Sequence, residues 1–213
     1  MEIFRSQKNR VVNTITRGQG RIINSANNNT VIFVAGPAGT GKTYVTVAYG
    51  LDKLQTNKID SLVLTRPAVQ CGTDLGSLPG ELHEKIGPYM APFVNKVSDI
   101  LSPEEHTALK EAQKVRYEPL GFLRGQTLDN CVVILDEAQN ASEAQIKMLI
   151  TRLGPKAQLF ITGDPEQTDL RRASMKASMD RLQHINDIST VHLSHKDIVR
   201  HQVVKDVIQA YRQ

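Results

Sequence analysis

Residues 31–43 of this chain read VIFVAGPAGTGKT. The apolar beginning of this stretch, Val31–Ala35, predicts a buried strand of a parallel sheet. Gly36–Thr43 then matches the phosphate-binding loop pattern G-x-x-x-x-G-K-[ST], and the pattern predicts a helix that begins near Lys42. A strand, a glycine-rich loop and a helix in this order are typical of a nucleotide site.

The residue types of this loop suit a polyphosphate. Glycine permits backbone conformations and a close approach that a Cβ would block, so several N–H groups can face one polyphosphate. The helix N-terminus adds a partial positive charge. Lys42 is predicted to reach the β- and γ-phosphates, and the Thr43 hydroxyl to hold Mg²⁺. A glycine-rich turn that binds nothing is the weaker interpretation, because the match is complete and its context is right. The predicted nucleotide-binding residues are Gly36, Pro37, Ala38, Gly39, Thr40, Gly41, Lys42 and Thr43.

The length and composition favour a soluble globular protein. The 213 residues are 40% hydrophobic and 23% charged. We expect one domain over residues 1–213, with a partly helical insertion at about 66–130. No apolar run approaches the ~20 residues of a membrane span, and the first residues lack the apolar core of a secretory signal. The 2 cysteines have no metal-ligand spacing. We therefore expect a cytoplasmic protein with no membrane partner.

The charge balance permits nucleic-acid binding without requiring it. The net charge is +4 and the sequence pI is about 9.1, with basic residues concentrated near the N-terminus and in the tail. On charge alone, a solvated surface is the better interpretation than a binding face. Trp is absent, so an extensive aromatic platform for bases is not expected.

Apolar runs and helical patterns alternate along the chain. The sequence predicts strands at residues 31–35, 61–65, 132–135, 159–162 and 188–193. It predicts a loop at 75–80 and helices at 4–17, 42–55, 81–101 with interruptions near Gly87–Pro88 and Pro92, from Ser102, from Ser142, at 173–185 and at 197–212. The last helix is expected to bury Val199, Val203, Val207 and Ile208. This alternation predicts an α/β fold, a parallel sheet with helices on both faces.

Polar residues follow several predicted strands, and ligands of parallel α/β sheets bind at the carboxyl ends of strands. We interpret Asp136 as the Mg²⁺ carboxylate and Glu137 as the group that polarises an attacking water. The alternative is an acidic pair that caps the helix beginning at Ser142. Gln167, after a later strand, is expected to position water or contact the γ-phosphate. A polar loop residue is an equally good interpretation of Gln167 taken alone.

Three arginines are candidates for contacts with phosphate. Arg66, at a strand end, and Arg124 are candidates for nucleic-acid phosphates, although each taken singly is more often a surface arginine. Arg200, on the predicted last helix, is either solvent-facing or an arginine finger. Arg124 and Arg171 are the alternatives for that finger.

Several segments together resemble the PhoH-like ATPases. They are GPAGTGKT at 36–43, TRPAV at 65–69, LPG at 78–80, PLGFLRG at 119–125, DEAQN at 136–140, TGDPEQ at 162–167 and DIVRH at 197–201. The phosphate loop is generic, whereas the other segments are distinctive in combination. Two positions depart from the family pattern, since Ser77 stands where an aromatic residue is usual and Leu193 where Phe is common. A helicase-type glutamine motif near Gln7 would have an unusual spacing.

The resemblance implies a fold similar to the first motor domain of superfamily-one helicases, a RecA-like phosphate-loop NTPase core. It also implies ATP and Mg²⁺ binding, ATPase activity, roles with RNA and assembly into a ring, often a hexamer. By position, the roles it implies are phosphate and metal binding for Gly39, Gly41, Lys42 and Thr43, metal binding and hydrolysis for Asp136 and Glu137, γ-phosphate sensing for Gln167 and strand contact for Arg66.

The leading functional interpretation is an ATPase that acts with single-stranded RNA or another nucleic acid, by unwinding or remodelling it. An ATP-gated binding or scaffold protein with slow hydrolysis is an alternative from a different class, and a small-molecule kinase is a third. The Asp136–Glu137 pair disfavours the kinase, because a kinase excludes water rather than activating it. Since the chain has residues for only one motor domain, we expect a neighbouring subunit of a homo-oligomeric ring to complete the site with Arg200.

Overall fold

The computed structural model describes residues 1–67, 82–167 and 174–210, and the side chains of residues 82–86, 174, 205, 208 and 209 lie outside that description. The predicted loop at 75–80, Ser77 and Arg171 also lie outside it. The strands are β1 Glu2–Arg5, β2 Val11–Asn13, β3 Val31–Ala35, β4 Ser61–Arg66, β5 Val115–Pro119, β6 Cys131–Leu135, β7 Gln158–Gly163 and β8 Ile188–His192. The helices are α1 Arg17–Ala26, α2 Lys42–Gln55, α3 Leu82–Ile100, α4 Pro103–Glu111, α5 Glu143–Ile150, α6 Ser174–Leu182 and α7 Gln202–Ala210.

The described residues form a 6-stranded sheet in the order β5-β4-β6-β7-β3-β8. Each pairing recorded within this sheet is parallel. Alternate residues of β3 face opposite cores. Ile32 and Val34 pack with α1, α2 and α3 on one face, and Phe33 packs with α5 and α6 on the other. The predicted α/β fold with helices on both faces is confirmed, and burial on both faces explains the continuous apolar runs of these strands.

The carboxyl ends of the parallel strands meet at one edge of the sheet. The register pairs Ala35 with Gly163 on one side and with His192 on the other. It also pairs Arg66 with Pro119, so β5, which lies inside the stretch 66–130, belongs to the same sheet as β4. Polar residues that follow these strands are therefore neighbours in space, as the sequence predicts.

Capping residues set the predicted starts of α4 and α5. The Ser102 hydroxyl accepts a hydrogen bond from the Glu105 backbone N–H, and the Glu105 carboxylate accepts one from the Ser102 N–H. Ser142 and Gln145 form the same reciprocal pair before α5. Each pair satisfies backbone donors that the first helical turn leaves free, which is why the local sequence sufficed to place both helix starts.

The predicted helix at residues 4–17 is wrong, since this segment is the antiparallel hairpin of β1 and β2. The Ser6 N–H donates to the Arg10 carbonyl, and Asn9 has a left-handed φ of 60°. Such a conformation suits asparagine in a tight turn. The hairpin buries Phe4 and Val12, and burial against α2 outweighs the helical spacing of its apolar residues.

The predicted interruptions of the helix at 81–101 are also wrong, because α3 runs through Pro88 and Pro92. Both prolines are exposed, while Phe93 and Val97 on the opposite side are fully buried. Burial of this apolar stripe compensates for the hydrogen bonds that proline removes. Within the described ranges, no helix combines the length and the apolar character needed to cross a membrane.

The C-terminal segment differs from the prediction of one helix from Asp197 to Arg212. A 3₁₀ turn at His195–Asp197 precedes α7, which begins only at Gln202. Val199, Val203 and Val207 are 41%, 61% and 50% exposed, so their predicted burial is wrong. The Ile208 side chain and Arg212 lie outside the described residues. A capping pair between Ser194 and Asp197 closes the single turn, and Asp197 then binds a distant helix instead of continuing its own.

Asp197 ties the C-terminal segment to α1. Its Oδ1 accepts the Gly18 N–H at 3.0 Å, and its Oδ2 accepts the Ser194 N–H at 2.9 Å. Burial alone would raise the pKa of Asp197, but hydrogen bonds from Ser194, Thr16 and Gly18 outweigh burial and hold the pKa below its ordinary value of 3.8.

We predict that Asp197→Ala lowers the free energy of unfolding at neutral pH by about 1–3 kcal/mol, because it leaves buried N–H groups unpaired. Asp180→Ala, which removes a surface ion pair with Lys176, should cost less than about 0.5 kcal/mol. The folded-state pKa of Asp197 is lowered, so its contribution is present above the unfolded-state pKa and is lost as the pH falls through the folded-state value. Denaturant unfolding should show the Asp197→Ala deficit shrinking in acid. Equal deficits for both variants would contradict this assignment.

Candidate functional site

The loop between β3 and α2 has a fixed, left-handed backbone at two glycines. Gly39 and Gly41 both have φ of +81°, which a side chain makes costly. A Cβ at Gly39 would lie 2.9 Å from Arg200 Cγ, and one at Gly41 would lie 2.8 Å from Gln19 Nε2. The Thr40 hydroxyl closes the loop by donating to the Pro37 carbonyl at 2.9 Å. Both the backbone and its neighbours therefore require glycine here.

Lys42 is a partly buried cation that points back into its own loop. Its Nζ donates to the carbonyls of Gly36 at 2.6 Å and Pro37 at 2.9 Å. Burial lowers the pKa of Lys42, and the nearby carboxylates of Asp164, Asp136 and Glu137 oppose that shift. A polyphosphate in the loop would offer this ammonium group anionic oxygens in place of neutral carbonyls.

Asp136 is the centre of the hydrogen bonds at the strand edge. Its Oδ1 accepts the Thr43 hydroxyl at 2.9 Å and the Thr162 hydroxyl at 2.6 Å. Its Oδ2 accepts Arg66 Nη2 at 2.6 Å. The Asp136 side chain is 4% exposed. These donors come from α2, β7 and β4, so the carboxylate fixes separate elements at the mouth of the site.

Glu137 is held away from helical geometry beside Asp136. Its φ is 55°, in the left-handed region where non-glycine residues are uncommon. The Gln139 amide donates to Glu137 Oε2 at 2.6 Å, and the Gln139 carbonyl oxygen accepts the Asp164 N–H at 3.2 Å. The Glu137 side chain is 47% exposed. Its carboxylate is thus oriented by Gln139 and still open to water. Sequence reasoning missed Gln139, whose signal was its place two residues after the carboxylate.

Gln19 is a second residue that the sequence analysis missed. It is 3% exposed, and its Nε2 donates to the Thr40 carbonyl in the phosphate loop at 3.1 Å. Its Oε1 accepts the Ile15 N–H at 2.7 Å. The spacing Thr16-x-x-Gln19 is a capping box at the start of α1, which was the available signal. The prediction of a helix at 4–17 placed Thr16 inside that helix and not at the start of α1.

The C-terminal segment packs against the phosphate loop of its own chain. The Leu193 N–H donates to the Ala35 carbonyl at 2.7 Å, and the Val199 N–H donates to the Gly39 carbonyl at 2.9 Å. Arg200 lies outside a helix, with its side chain against Gly39. The segment that carries Arg200 is therefore one wall of the cleft.

A cleft of about 480 Å³ over the loop gathers most of the predicted site residues. Gln167 and Arg200 line it together with Gly39, Lys42 and Glu137. Arg66 is not among the residues that line the cleft, but its guanidinium binds Asp136, which does line it, and lies over the Phe93 ring. Arg124 does not line this cleft. It is exposed beyond the 3₁₀ turn at Leu120–Leu123.

The residues present fit a metal–nucleotide complex. The Thr43 hydroxyl and an Asp136 carboxylate oxygen, 2.9 Å apart, are ligands of the type that Mg²⁺ prefers. Asp164 is 4% exposed, and its Oδ2 is buried without a hydrogen-bond partner among the described residues. A buried carboxylate oxygen without a donor is rare in native structures. It lies in the wall of this cleft, where water of a metal ion's shell would satisfy it.

Comparison with known proteins places the chain in a family. A family model described as "PhoH-like protein" matches residues 11–212. A "PhoH-like protein" of Bacillus subtilis (strain 168) is 40% identical over 213 residues, which cover 99% of this chain and 67% of that relative. This chain belongs to the PhoH-like family. A PhoH-like protein of Mycobacterium tuberculosis (strain ATCC 25618 / H37Rv) is 40% identical over 209 residues, and the matched part is 97% of this PhoH-like chain but only 59% of that relative.

Solved structures of other proteins share the fold. The large terminase of a thermophilic bacteriophage, in a complex with ADP, matches with a TM-score of 0.55 at 13% identity, covering 91% of this chain and 49% of the terminase chain. The helicase domain of Hef from Pyrococcus furiosus matches with a TM-score of 0.50 at 16% identity, covering 84% of this chain and 38% of the helicase chain. At these identities the likeness concerns the fold, and it confirms the predicted RecA-like phosphate-loop core.

We predict that Gly41→Ala lowers the free energy of unfolding by about 1–2 kcal/mol from the left-handed backbone alone, with a further loss from contact with Gln19. Gly20→Ala is the matched control, because Gly20 lies inside α1 with nothing within 4 Å of the added Cβ. It should instead raise that free energy by roughly 0.5–1 kcal/mol. Urea unfolding of both variants measures the difference. A Gly41→Ala protein as stable as the parent would contradict the required loop conformation.

Proposed function

We propose that this PhoH-like chain binds ATP with Mg²⁺ and hydrolyses the ATP, and that hydrolysis is coupled to single-stranded RNA or another nucleic acid. The convergence of Thr43, Asp136 and Glu137 beside the phosphate loop carries the proposal. In particular, the 2.9 Å hydrogen bond from Thr43 to Asp136 supports a metal position next to the phosphates that Lys42 would hold. The exposed carboxylate of Glu137 supports activation of water.

The residues of the cleft would divide the work of hydrolysis. When bound by Thr43 and Asp136, Mg²⁺ would draw negative charge from the phosphate oxygens. Lys42 would exchange its bonds to loop carbonyls for bonds to phosphate. Glu137 would accept a proton from the attacking water while the water oxygen bonds to the γ-phosphorus and the bond to the leaving oxygen of ADP breaks. Gln139 would hold the Glu137 carboxylate in its orientation through the hydrogen bond to Oε2. Gln167 would contact the γ-phosphate or the water.

The arginines support different roles in this proposal. Arg66 is 16% exposed and paired with Asp136, which favours a role in orienting the metal carboxylate over the predicted contact with nucleic acid. Arg124 is exposed and stays the candidate for nucleic-acid phosphate. The net charge of +4 is compatible with this partner.

Arg200 favours a role in its own cleft. Its side chain lies against Gly39 of the same chain, whereas an arginine finger supplied to a neighbour would point away from its own loop. A ring, with six subunits as the resemblance implies, remains a prediction. In our proposal the same chain supplies both Arg200 and Glu137 to one γ-phosphate.

We predict that Lys42→Ala abolishes tight ATP binding without unfolding the protein, because the Lys42 side chain serves the ligand rather than the core. Glu137→Gln should bind ATP and fail to hydrolyse it. Binding of a fluorescent ATP analogue and release of inorganic phosphate measure the two steps. Equal phosphate release by Glu137→Gln and the parent protein would remove Glu137 from the mechanism.

Phosphate release with RNA, with single-stranded DNA and without a polymer tests the whole proposal. Stimulation by RNA or single-stranded DNA supports the coupled ATPase. Slow release that no polymer changes would favour the ATP-gated scaffold. Transfer of phosphate to a small molecule, with none released as the inorganic ion, would identify a kinase and contradict the proposal.

We predict that Arg200→Ala lowers turnover by roughly 10³-fold or more and that mixing it with Glu137→Gln restores nothing. Acting within one chain, neither variant can supply what the other lacks at the same site. If Arg200 instead served a neighbouring subunit, an equal random mixture would complete about a quarter of the interfaces and activity would return. Co-purification of two differently tagged variants verifies that subunits exchange. Recovered activity would overturn the assignment of Arg200 to its own cleft.

A further inference from the structure

Phe122 is exposed at the carboxyl edge of the sheet. The residue is 47% exposed, and in the described part of the chain it is the only aromatic residue among the exposed large hydrophobic ones. Phe33, Phe93 and Phe160, by contrast, are fully buried. Phe122 belongs to neither of the two core clusters. Its ring therefore offers an apolar surface that is open to a ligand.

The turn that carries Phe122 is anchored by buried neighbours and by hydrogen bonds. Its neighbours Leu120 and Leu123 are 0% exposed and anchor the 3₁₀ turn in the core. The Gln126 amide donates to the Phe122 carbonyl at 2.9 Å and to Glu118 Oε2 at 2.9 Å. The ring is therefore presented to solvent from a fixed backbone, which lowers the entropy cost of binding a ligand against it.

An exposed positive charge follows Phe122 two residues later in the chain. Arg124 is exposed and forms no ion pair or hydrogen bond with the rest of the described residues. Gly125, which follows it, has φ of +84° and nothing within 4 Å of its missing Cβ, so the surface next to Arg124 is open. The nearby Arg116, in contrast, is neutralised by Glu118. Arg124 is thus available to an anion in solution.

The position of this turn connects it to the nucleotide cleft. It directly follows β5, whose last residue, Pro119, pairs with Arg66, and Arg66 binds Asp136. A single-stranded nucleic acid bound along the carboxyl ends of β5 and β4 would therefore pass close to Arg66, which holds the Asp136 carboxylate.

We propose that Phe122 stacks on a base of a single-stranded nucleic acid while Arg124 contacts the adjoining phosphate. The inference rests on the proposed function, since it names the residues through which the nucleic acid binds. A base offers an apolar face to the ring and a phosphate offers the anion, and a single strand presents both side by side. The aromatic ring with an unpaired arginine two residues away fits this ligand better than a purely apolar partner.

The absence of Trp from the sequence allows a direct test. Phe122→Trp introduces a sole tryptophan, and stacking should quench its fluorescence saturably when an oligouridylate of about ten nucleotides is added. Ile185→Trp is the matched control. Ile185 is 42% exposed but lies in the turn before β8. β8 and β5 are the two outermost strands on opposite sides of the six-stranded sheet, so the fluorescence of a tryptophan at position 185 should not change. An abasic oligomer of equal charge should leave the Phe122→Trp signal unquenched.

Affinities of the parent and its variants complete the test. Phe122→Ala should weaken oligouridylate binding by roughly 5- to 100-fold, whereas Phe122→Trp and Ile185→Ala should bind like the parent. Arg124→Ala should reduce the slope of log affinity against log salt by about one phosphate contact.

The possible failures are distinguishable. A parent protein that binds RNA while Phe122→Ala binds it equally well would overturn this inference and leave the proposed function intact. A parent protein that binds no single strand would remove the nucleic-acid part of the proposed function together with this inference. If Phe122→Ala changes only the molecular mass in light scattering, the ring serves contacts between copies of the chain, and the inference is overturned.

Discussion

The candidate site depends on the hydrogen bonds that the Asp136 carboxylate accepts. It accepts hydrogen bonds from Thr43, Thr162 and Arg66, residues that follow or belong to different strands of the sheet. A buried carboxylate is costly unless it is fully paired, so each of these donors is held in place by the need to satisfy it. The start of α2, the end of β4 and the end of β7 are thereby fixed relative to one another without any ligand.

A second set of contacts couples the carboxylates to the loop after β7. Gln139 bridges Glu137 and the Asp164 backbone, and Gln167 follows Asp164 at the rim of the cleft. A movement of the loop after β7 would therefore shift Gln139 and, through it, the Glu137 carboxylate that is proposed to activate water. Gln19 and the Leu193–Arg200 segment also hold the phosphate loop through hydrogen bonds to its backbone and to the end of β3. The chain thus surrounds its nucleotide loop with elements from both ends of the sequence.

The edge of the sheet gives the proposed functions a common geometry. Parallel strands place all their carboxyl ends together, so the nucleotide cleft, Arg66 and the turn with Phe122 share one rim. Arg66 is the link, because it lies at the end of β4 with Asp136 on one side and the register of β5 on the other. A nucleic acid bound at the rim and a nucleotide bound in the cleft would therefore both act on the ion pair between Arg66 and Asp136.

The sequence by itself determined the existence of the sheet strands predicted at 31–35, 61–65, 132–135 and 159–162, which the structure extends by one residue at one or both ends in three cases. It also determined the phosphate loop and the capped starts of α4 and α5, because these depend on local pattern and on hydrogen bonds between residues a few positions apart. The parallel topology then brought Lys42, Thr43, Asp136 and Glu137 together as predicted. Only the tertiary structure decided which partner Arg66 takes, that residues 2–13 form a hairpin, and that Arg200 lies against Gly39 rather than on a helix. Each of these outcomes depends on contacts between residues distant in sequence, where burial of Phe4, the charge of Asp136 or the hydrogen bonds of Asp197 outweighs a local helical pattern.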